Sequence, residues 1–360
     1  MSNSIYSIIT GTGSYIPTKI IKNEDFLNNV FYDESGEKFD KTNEDIIEKF
    51  RLITDIEERK YVTDDLVASD IGFLAAQDAL NSSGIDKESI DYIIVAHNFG
   101  DVKADNNRSD FVPNIAARVK HKLGIENSST IPYDLPFGCP GWLEGIILAD
   151  NYIKVGSAKR VLVIGTETLS RISDPHDRDS MLYADGAGAV IVEATKSDSP
   201  TGILSHKTRS DTLNHAFMLR MDKSCNSDYG SDELFLKMNG RKLYEYALKT
   251  VPQVIKDCIE KTGLPIENIS KVLLHQANAK MDAAMLSRLF GLYGIKDIPP
   301  GVMPMTITKF GNNSVATLPI LFDLIIKGQI KGHQFSAGDH IVFASVGAGM
   351  NVNSLVYRIN

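Results

Sequence analysis

Apolar and polar residues follow two periods along the chain, and the switches between them mark its elements. Residues 5–16, Ile-Tyr-Ser-Ile-Ile-Thr-Gly-Thr-Gly-Ser-Tyr-Ile, read as a strand ending in a glycine turn. Residues 31–49 are rich in Asp, Glu, Lys and Asn and read as an exposed insertion. Val67–Ser82 places Ile71, Leu74, Ala75 and Ala79 on one helical face, and Tyr92–Ala96 is a doubly apolar strand leading to His97. A second inserted loop covers about 98–110. Its Asp101–Asp110 stretch holds three Asp and two Asn but lacks the central Gly and closing Glu of a calcium loop, so a solvated loop is expected. A helix over 111–122 follows, and the segment after Cys139 is apolar on most faces, as a buried helix must be. Gly141 and Gly145 leave it a smooth face that another helix is expected to approach. Strands Arg160–Gly165 and Ala189–Glu193 come next. Helices alternating with short apolar strands give an α/β fold with a mostly parallel or mixed sheet.

The second half repeats the first. A helix, Gly84-Ile-Asp-Lys-Glu-Ser-Ile90, a strand and His97 are matched by a helix, Gly263-Leu-Pro-Ile-Glu-Asn-Ile269, a strand and His275; the glycines stand 179 residues apart (263 − 84). Arg160–Gly165 is matched by His340–Ser345 at a separation of 180 (340 − 160). Two pairs agreeing on half the chain length indicate a duplication. The repeat places a second central helix from about Asn312 to Ile326, meeting the one that follows Cys139.

Composition narrows the class. At 360 residues, with 43% hydrophobic and 23% charged residues, the chain fits a globular protein with an ample core. A net charge of −8 and the lack of a basic run argue against nucleic acid as a main partner. Three cysteines, at 139, 225 and 258, show neither a disulfide framework nor metal-ligand spacing, so no metal site is expected and a reducing cytoplasm fits. No signal peptide and no membrane-spanning apolar run are expected. Gly11-Thr-Gly13 lacks the following helix and third glycine of a dinucleotide loop.

The candidate chemistry centres on Gly138-Cys-Pro-Gly-Trp142. Pro140 suits the first position of a helix, which makes Cys139 its N-cap, where unpaired N–H groups and the helix dipole lower a thiol's pKa. His275 leaves a strand at its carboxyl end, and Asn312 heads the second central helix. Each is weak alone, but on the repeat all three fall at corresponding ends of sheet-adjacent elements. A thiolate that carries an acyl group, with two neutral donors for an oxyanion, suits thioester chemistry.

On these residues the sequence resembles the β-ketoacyl-acyl-carrier-protein synthase III group of the thiolase superfamily. The likeness spans nearly the whole chain through Gly11–Pro17, Gly138–Trp142, Asp174–Arg178, Asp185–Ala189, His275-Gln-Ala-Asn278, Phe310–Ser314 and Gly347–Gly349. It implies an internally duplicated αβαβα sandwich with two central buried helices, its N-terminal half at 1–198 and its C-terminal half at 199–360. It also implies a triad of Cys139, His275 and Asn312, and an oxyanion hole from the backbone N–H groups of Cys139 and Ala348. Arg178 and Asn278 would meet coenzyme A or substrate, and Lys280 and Arg288 an acyl-carrier protein. The implied reaction is a decarboxylating Claisen condensation of an acyl thioester with malonyl-acyl-carrier protein through an acyl-Cys139 intermediate. The primer would come on coenzyme A or on a carrier protein, with no resident cofactor, in a cytoplasmic homodimer.

The departures alter the delivery surface. Lys49 and Ile53 stand where the family stacks a Trp on adenine and holds a partner Arg, and the acidic Glu245 replaces a basic docking residue. Pro140 replaces the usual Ala, and Ala348 the middle glycine of the C-terminal turn. Two rival readings use the same residues: a specialised condensing or acyl-transfer enzyme of secondary metabolism, and a Cys-His-Asn thiol hydrolase.

Overall fold

A computed structural model describes residues 4–230 and 232–360. Two mixed sheets carry the molecule. The first joins β1 (Ser4–Tyr15), β2 (Tyr92–Ala96), β3 (Ile131–Leu135), β4 (Arg160–Thr168) and β5 (Asp185–Ser197) in the order β1-β5-β4-β2-β3. The second joins β6 (Gly202–Ser210), β9 (Ile269–Leu274), β10 (His340–Gly347) and β11 (Asn351–Arg358) in the order β6-β11-β10-β9. Between β6 and β9 the hairpin strands β7 (Leu219–Asp222) and β8 (Phe235–Met238) pair apart from both sheets. The duplication is visible in this order, since β4 and β10, matched in sequence, hold the same place in their sheets. In both, that strand pairs in parallel with the strand leading to a histidine and antiparallel with the strand after it.

Five layers follow from where apolar faces can be buried. Helices α2 (Ala68–Ser83) and α3 (Ile115–Leu123) cover the outer face of the first sheet, with Ile71, Ala75, Ala79 and Val119 packed on Ile93, Val95 and Ile164. Helices α5 (Gly240–Glu260) and α6 (Ala279–Gly291) cover the second through Val251, Ile255, Met285 and Leu289. Between the sheets lie α4 (Gly141–Lys154) and α7 (Thr317–Ile326). Trp142, Ile146, Leu321 and Phe322 share one cluster with Val163 of one sheet and Phe343 of the other. A helix sandwiched by two sheets has no polar face to give to water, which is why both read as apolar throughout. The duplicated αβαβα sandwich with two buried central helices is the observed architecture.

Several local expectations shift. β1 continues through Gly11 and Gly13, with a bulge between Ile9 and Gly11, instead of turning there. The glycines are needed because α2 lies so close that a Cβ at either would fall within 2.5 Å of Ala79 backbone atoms. The bare face of α4 is met by a strand, not a helix: a Cβ on Gly145 would lie 2.7 Å from Val163 Cγ1. The 31–49 stretch is only partly exposed. Its end forms the start of α1 (Asn43–Thr54), capped by Thr42, and buries Phe31, Ile46 and Ile47 with Phe50 and Ile56. The helix placed over 111–122 starts at Ile115, behind the N-cap Asn114. Nor is the 98–110 segment simply solvated. Asp101 is buried, accepting from Ser69 N–H and Oγ at 2.7 Å each and pairing with Arg118 at 2.7 Å. No helix among the described residues is long and apolar enough to cross a membrane.

Candidate active site

Cys139 sits in a tight turn, and the helix behind it starts later than its sequence suggests. Gly141 is the first helical residue and Pro140 the N-cap, so Cys139 lies one position outside it. The turn is closed by Gly141 N–H donating to Gly138 O at 2.9 Å. Gly138, at φ 70°, needs the left-handed region that glycine enters without strain. The turn after β10 presses against it. A Cβ on Gly347 would stand 2.5 Å from Cys139 N, and one on Gly138 would stand 2.8 Å from Ala348 N. The backbone amides of Cys139 and Ala348 are therefore neighbours, which only glycine at 138 and 347 permits.

Asn312 is held by main chain on both sides. Its N–H donates to Leu182 O and its O accepts from Ala184 N–H, each at 2.9 Å. Its side-chain Oδ1 accepts the Ser314 N–H at 2.9 Å, which leaves the Nδ2 donor free of that turn. Asn312 does not cap the second central helix. A 3-10 turn, Ser314–Ala316, intervenes before α7. Cys139, Asn312, Ser314 and Ala348 line a cavity of about 390 Å³, with Phe99, Phe137, Leu169, Leu219, Met221 and Leu236 as its apolar wall.

His275 emerges from β9, its N–H donating to Ala344 O on β10 at 2.9 Å, three residues before the glycine that touches Cys139. It is buried, its Nδ1 has no partner, and burial pulls its pKa down to about 4. The imidazole is neutral at pH 7, a hydrogen-bonding group without charge. Its counterpart in the repeat differs. His97 is fully engaged, with Nε2 2.8 Å from Asp134 Oδ2 and Nδ1 accepting Gly100 N–H at 3.0 Å, while Asp134 accepts the first amides of α3. Duplication made two histidine positions, and one of them holds the fold.

The thiol departs from expectation. Cys139 keeps some accessible surface toward the cavity but lies deep among protein atoms. That enclosure pushes its pKa up to about 11, with the Ser314 hydroxyl pulling it down and the Glu167 carboxylate pushing it further up. Burial outweighs the pull of nearby amides, so Cys139 rests as a thiol. Sequence reasoning missed the three residues that hold it. Ser314 Oγ donates to Cys139 Sγ at 3.4 Å, Asn98 Nδ2 donates to Ser314 Oγ at 3.1 Å, and Asn98 donates to Glu167 Oε2 through N–H at 3.1 Å and Nδ2 at 2.5 Å. Burial raises the Glu167 carboxyl to about 7. A Glu inside the apolar run that became β4 was the available signal.

The remaining predicted residues lie around a second cleft, of about 830 Å³, between α1 and the start of α5. Arg178, Asn278, Lys49, Ile53 and Glu245 line it together. Arg178 lies over the Phe39 ring at 5.3 Å, and Asn278 caps α6 by accepting Met281 N–H at 3.0 Å. Lys280 and Arg288 are exposed and eight residues apart on α6, hence on one face.

The chain matches the family models for 3-oxoacyl-[acyl-carrier-protein] synthase III at residues 133–212 and for its C-terminal region at 259–359. It is 31% identical over 361 residues to a beta-ketoacyl-[acyl-carrier-protein] synthase III of a Bradyrhizobium species, covering 99% of both chains. The chain belongs to the 3-oxoacyl-[acyl-carrier-protein] synthase III family. A Vibrio vulnificus relative, beta-ketoacyl-[acyl-carrier-protein] synthase III 1, is 32% identical over 98% of this chain and 100% of its own. The crystal structure of 3-oxoacyl-[acyl-carrier-protein] synthase III from Aquifex aeolicus superposes with a TM-score of 0.79 at 28% identity, over 98% of this chain and 99% of that one. Such synthases are acyl-transferring condensing enzymes, and these likenesses favour that reading over the thiol hydrolase.

Proposed function

We propose that the protein takes an acyl group onto Cys139 and condenses it with malonyl-acyl-carrier protein, losing carbon dioxide and giving a 3-oxoacyl product. The supporting observation is the adjacency of the Cys139 thiol, the paired Cys139 and Ala348 amides and Asn312 around one apolar-walled cavity. In the first step Cys139 Sγ attacks the primer carbonyl. The two amides receive the developing oxyanion, the Ser314 hydroxyl supports the anionic sulfur, and the thiol proton leaves on the departing carrier thiol. In the second, the malonyl carboxylate leaves as carbon dioxide while His275 and Asn312 donate to the enolate oxygen. The enolate carbon attacks the acyl carbonyl, and Cys139 leaves as a thiolate that takes a proton from solvent to return to the resting thiol. A neutral His275 suits this role, because a donor is needed there and not a charge.

The cleft bearing Arg178 and Asn278 admits the primer's carrier group, and Lys280 and Arg288 receive the carrier protein. The halves 1–198 and 199–360 are read as the duplicated units, each supplying one end of the site. A homodimer fits as well. β3 is an edge strand of its sheet, and Phe111 and Val112 are exposed, the latter at 85%. Light scattering at micromolar concentration should give twice the chain mass, and a monomer would remove this reading. A cytoplasmic setting is proposed from the three cysteines, all of them free thiols, which fit a reducing compartment. The central test is mass mapping after incubation with an acyl thioester. The acyl group should sit on Cys139 and not on Cys225 or Cys258, and acylation elsewhere would sink the mechanism.

A further inference from the structure

Away from the site, Lys237 on β8 is nearly buried among three partners. Its Nζ donates to Asp174 Oδ2 at 2.5 Å, to Asp177 Oδ2 at 3.0 Å and to Cys225 Sγ at 3.0 Å. The sulfur is not there by chance rotation. Cys225 N–H donates to Asp174 Oδ2 at 2.7 Å and Ser224 Oγ to Asp174 Oδ1 at 2.9 Å, so the backbone carrying the thiol is tied to the carboxylate that holds the amine. Asp174, Asp177 and Cys225 also have the spacing of metal ligands, which sequence spacing did not reveal. The Lys237 ammonium already supplies the positive charge among them, which disfavours a metal. The cluster opens onto a cavity of about 560 Å³ lined by Tyr32, Ser35, Phe39 and Arg178, wide enough for a small oxidant. The other two thiols differ: Cys139 is bonded by Ser314, and Cys258 by Ser205 and Ser354, with no amine.

We propose that Cys225 and Lys237 form an oxidative modification site, at which dioxygen or a peroxide joins Sγ to Nζ through one bridging oxygen atom. The Lys237 ammonium first passes a proton to the Asp177 carboxylate. The S–H bond and one N–H bond then break while S–O and O–N bonds form. Sulfur and nitrogen give up two electrons each, and these four electrons reduce dioxygen to the bridging oxygen and one water. With hydrogen peroxide, two molecules are consumed and three waters form. A separation of 3.0 Å leaves room for one inserted atom, whereas a direct S–N bond would pull together two atoms that are each pinned elsewhere.

The bridge has a route to activity. It removes the cation from between Asp174 and Asp177, the latter the N-cap of the turn that begins at Arg178 in the primer cleft. It also ties down β8, whose Leu236 lines the acyl cavity beside Leu219 and Met221 of its partner strand β7. Oxidised enzyme should therefore lose acylation activity and regain it on treatment with a thiol reductant.

The test is peptide mapping of the intact protein, reduced and then exposed to air or to a hydrogen peroxide series. The expected product is a cross-linked Cys225–Lys237 pair that has gained one oxygen and lost two hydrogens, is cleaved by dithiothreitol, and is absent from both Cys225→Ser and Lys237→Gln. Circular dichroism checks that the variants fold, and Cys225→Ser is the milder of the two. Sulfinic or sulfonic acid on Cys225 with Lys237 free would overturn the proposal. So would a link without added oxygen, or an unmodified pair at peroxide levels that oxidise Cys139.

Discussion

Ser314 Oγ stands 3.4 Å from Cys139 Sγ and is itself held by Asn98, which ties the proposed nucleophile to a hydroxyl 175 residues further along the chain. A buried thiol with a pKa near 11 reacts through a small thiolate fraction, so a donor to sulfur matters more here than at an exposed cysteine. Ser314→Ala should slow acylation of Cys139 by about 10-fold, the worth of one hydrogen bond to a charged acceptor at about 1.5 kcal/mol. Single-turnover acylation followed by intact-protein mass measures it. A wild-type rate would mean that the hydroxyl plays no part in the chemistry.

Glu167 makes stability depend on pH. Its carboxyl is raised by burial from an ordinary 4.5 to about 7 in the folded protein. Folding therefore favours its protonated form. The contribution is complete below pH 4.5 and is lost as pH rises through 7. At about 1.4 kcal/mol per unit the loss is about 3 kcal/mol. Glu167→Gln should flatten the fall in Tm across this window. Equal slopes in both proteins would remove Glu167 as the cause.

The same charge acts on the thiol, since ionised Glu167 pushes Cys139 upward. In the wild type the log of the acylation rate should rise with pH but bend to a shallower slope near 7, where Glu167 ionises. Glu167→Gln should straighten the plot. His275, neutral above about 4, should leave no inflection between pH 5 and 9. An inflection that persists in Glu167→Gln and disappears in His275→Ala would reassign the titration.

His275→Ala and Asn312→Ala should keep acylation of Cys139 while losing decarboxylation of malonyl thioester. Removing one oxyanion donor costs about 10²–10³ in rate. The comparison is acyl-enzyme formation against carbon dioxide release in the same preparations. A variant that releases carbon dioxide at the wild-type rate has been given the wrong role.

Lys49 and Ile53 line the cleft proposed for the primer's carrier group, at the positions where the family resemblance implies an adenine-stacking Trp and an Arg, while Lys280 and Arg288 stay exposed on α6. Delivery of the primer should therefore favour a carrier protein over coenzyme A. Lys280→Glu with Arg288→Glu should cut kcat/KM for an acyl-carrier-protein donor by at least about 10-fold and weaken its salt dependence, leaving the coenzyme A donor little changed. Fast, salt-insensitive acylation from acetyl-coenzyme A, with the carrier donor inert, would contradict this.

The sequence by itself determined the frame. Two central helices had to be buried because Trp142, Ile146, Leu321 and Phe322 belong to segments with no polar face, and the spacing of Gly84 to Gly263 and Arg160 to His340 fixed the duplication. Those signals are local or periodic, so they survive reading along one dimension. Cys139, His275 and Asn312 could be named as candidates for the same reason, each following a strand or preceding a helix. Three-dimensional packing decided the electrostatics. Cys139 lies one residue outside its helix and deep among protein atoms, so its thiol rises where helix position alone predicted a fall. Ser314, Asn98 and Glu167 come from three separate segments of the chain, as do Cys225, Lys237 and Asp174. No spacing rule links such residues, because their nearness is set by how two sheets and the loops between them close on one another. The same closure separated the paired histidines, engaging His97 with Asp134 and leaving His275 Nδ1 without a partner. Burial and long-range contact, not residue type, told them apart.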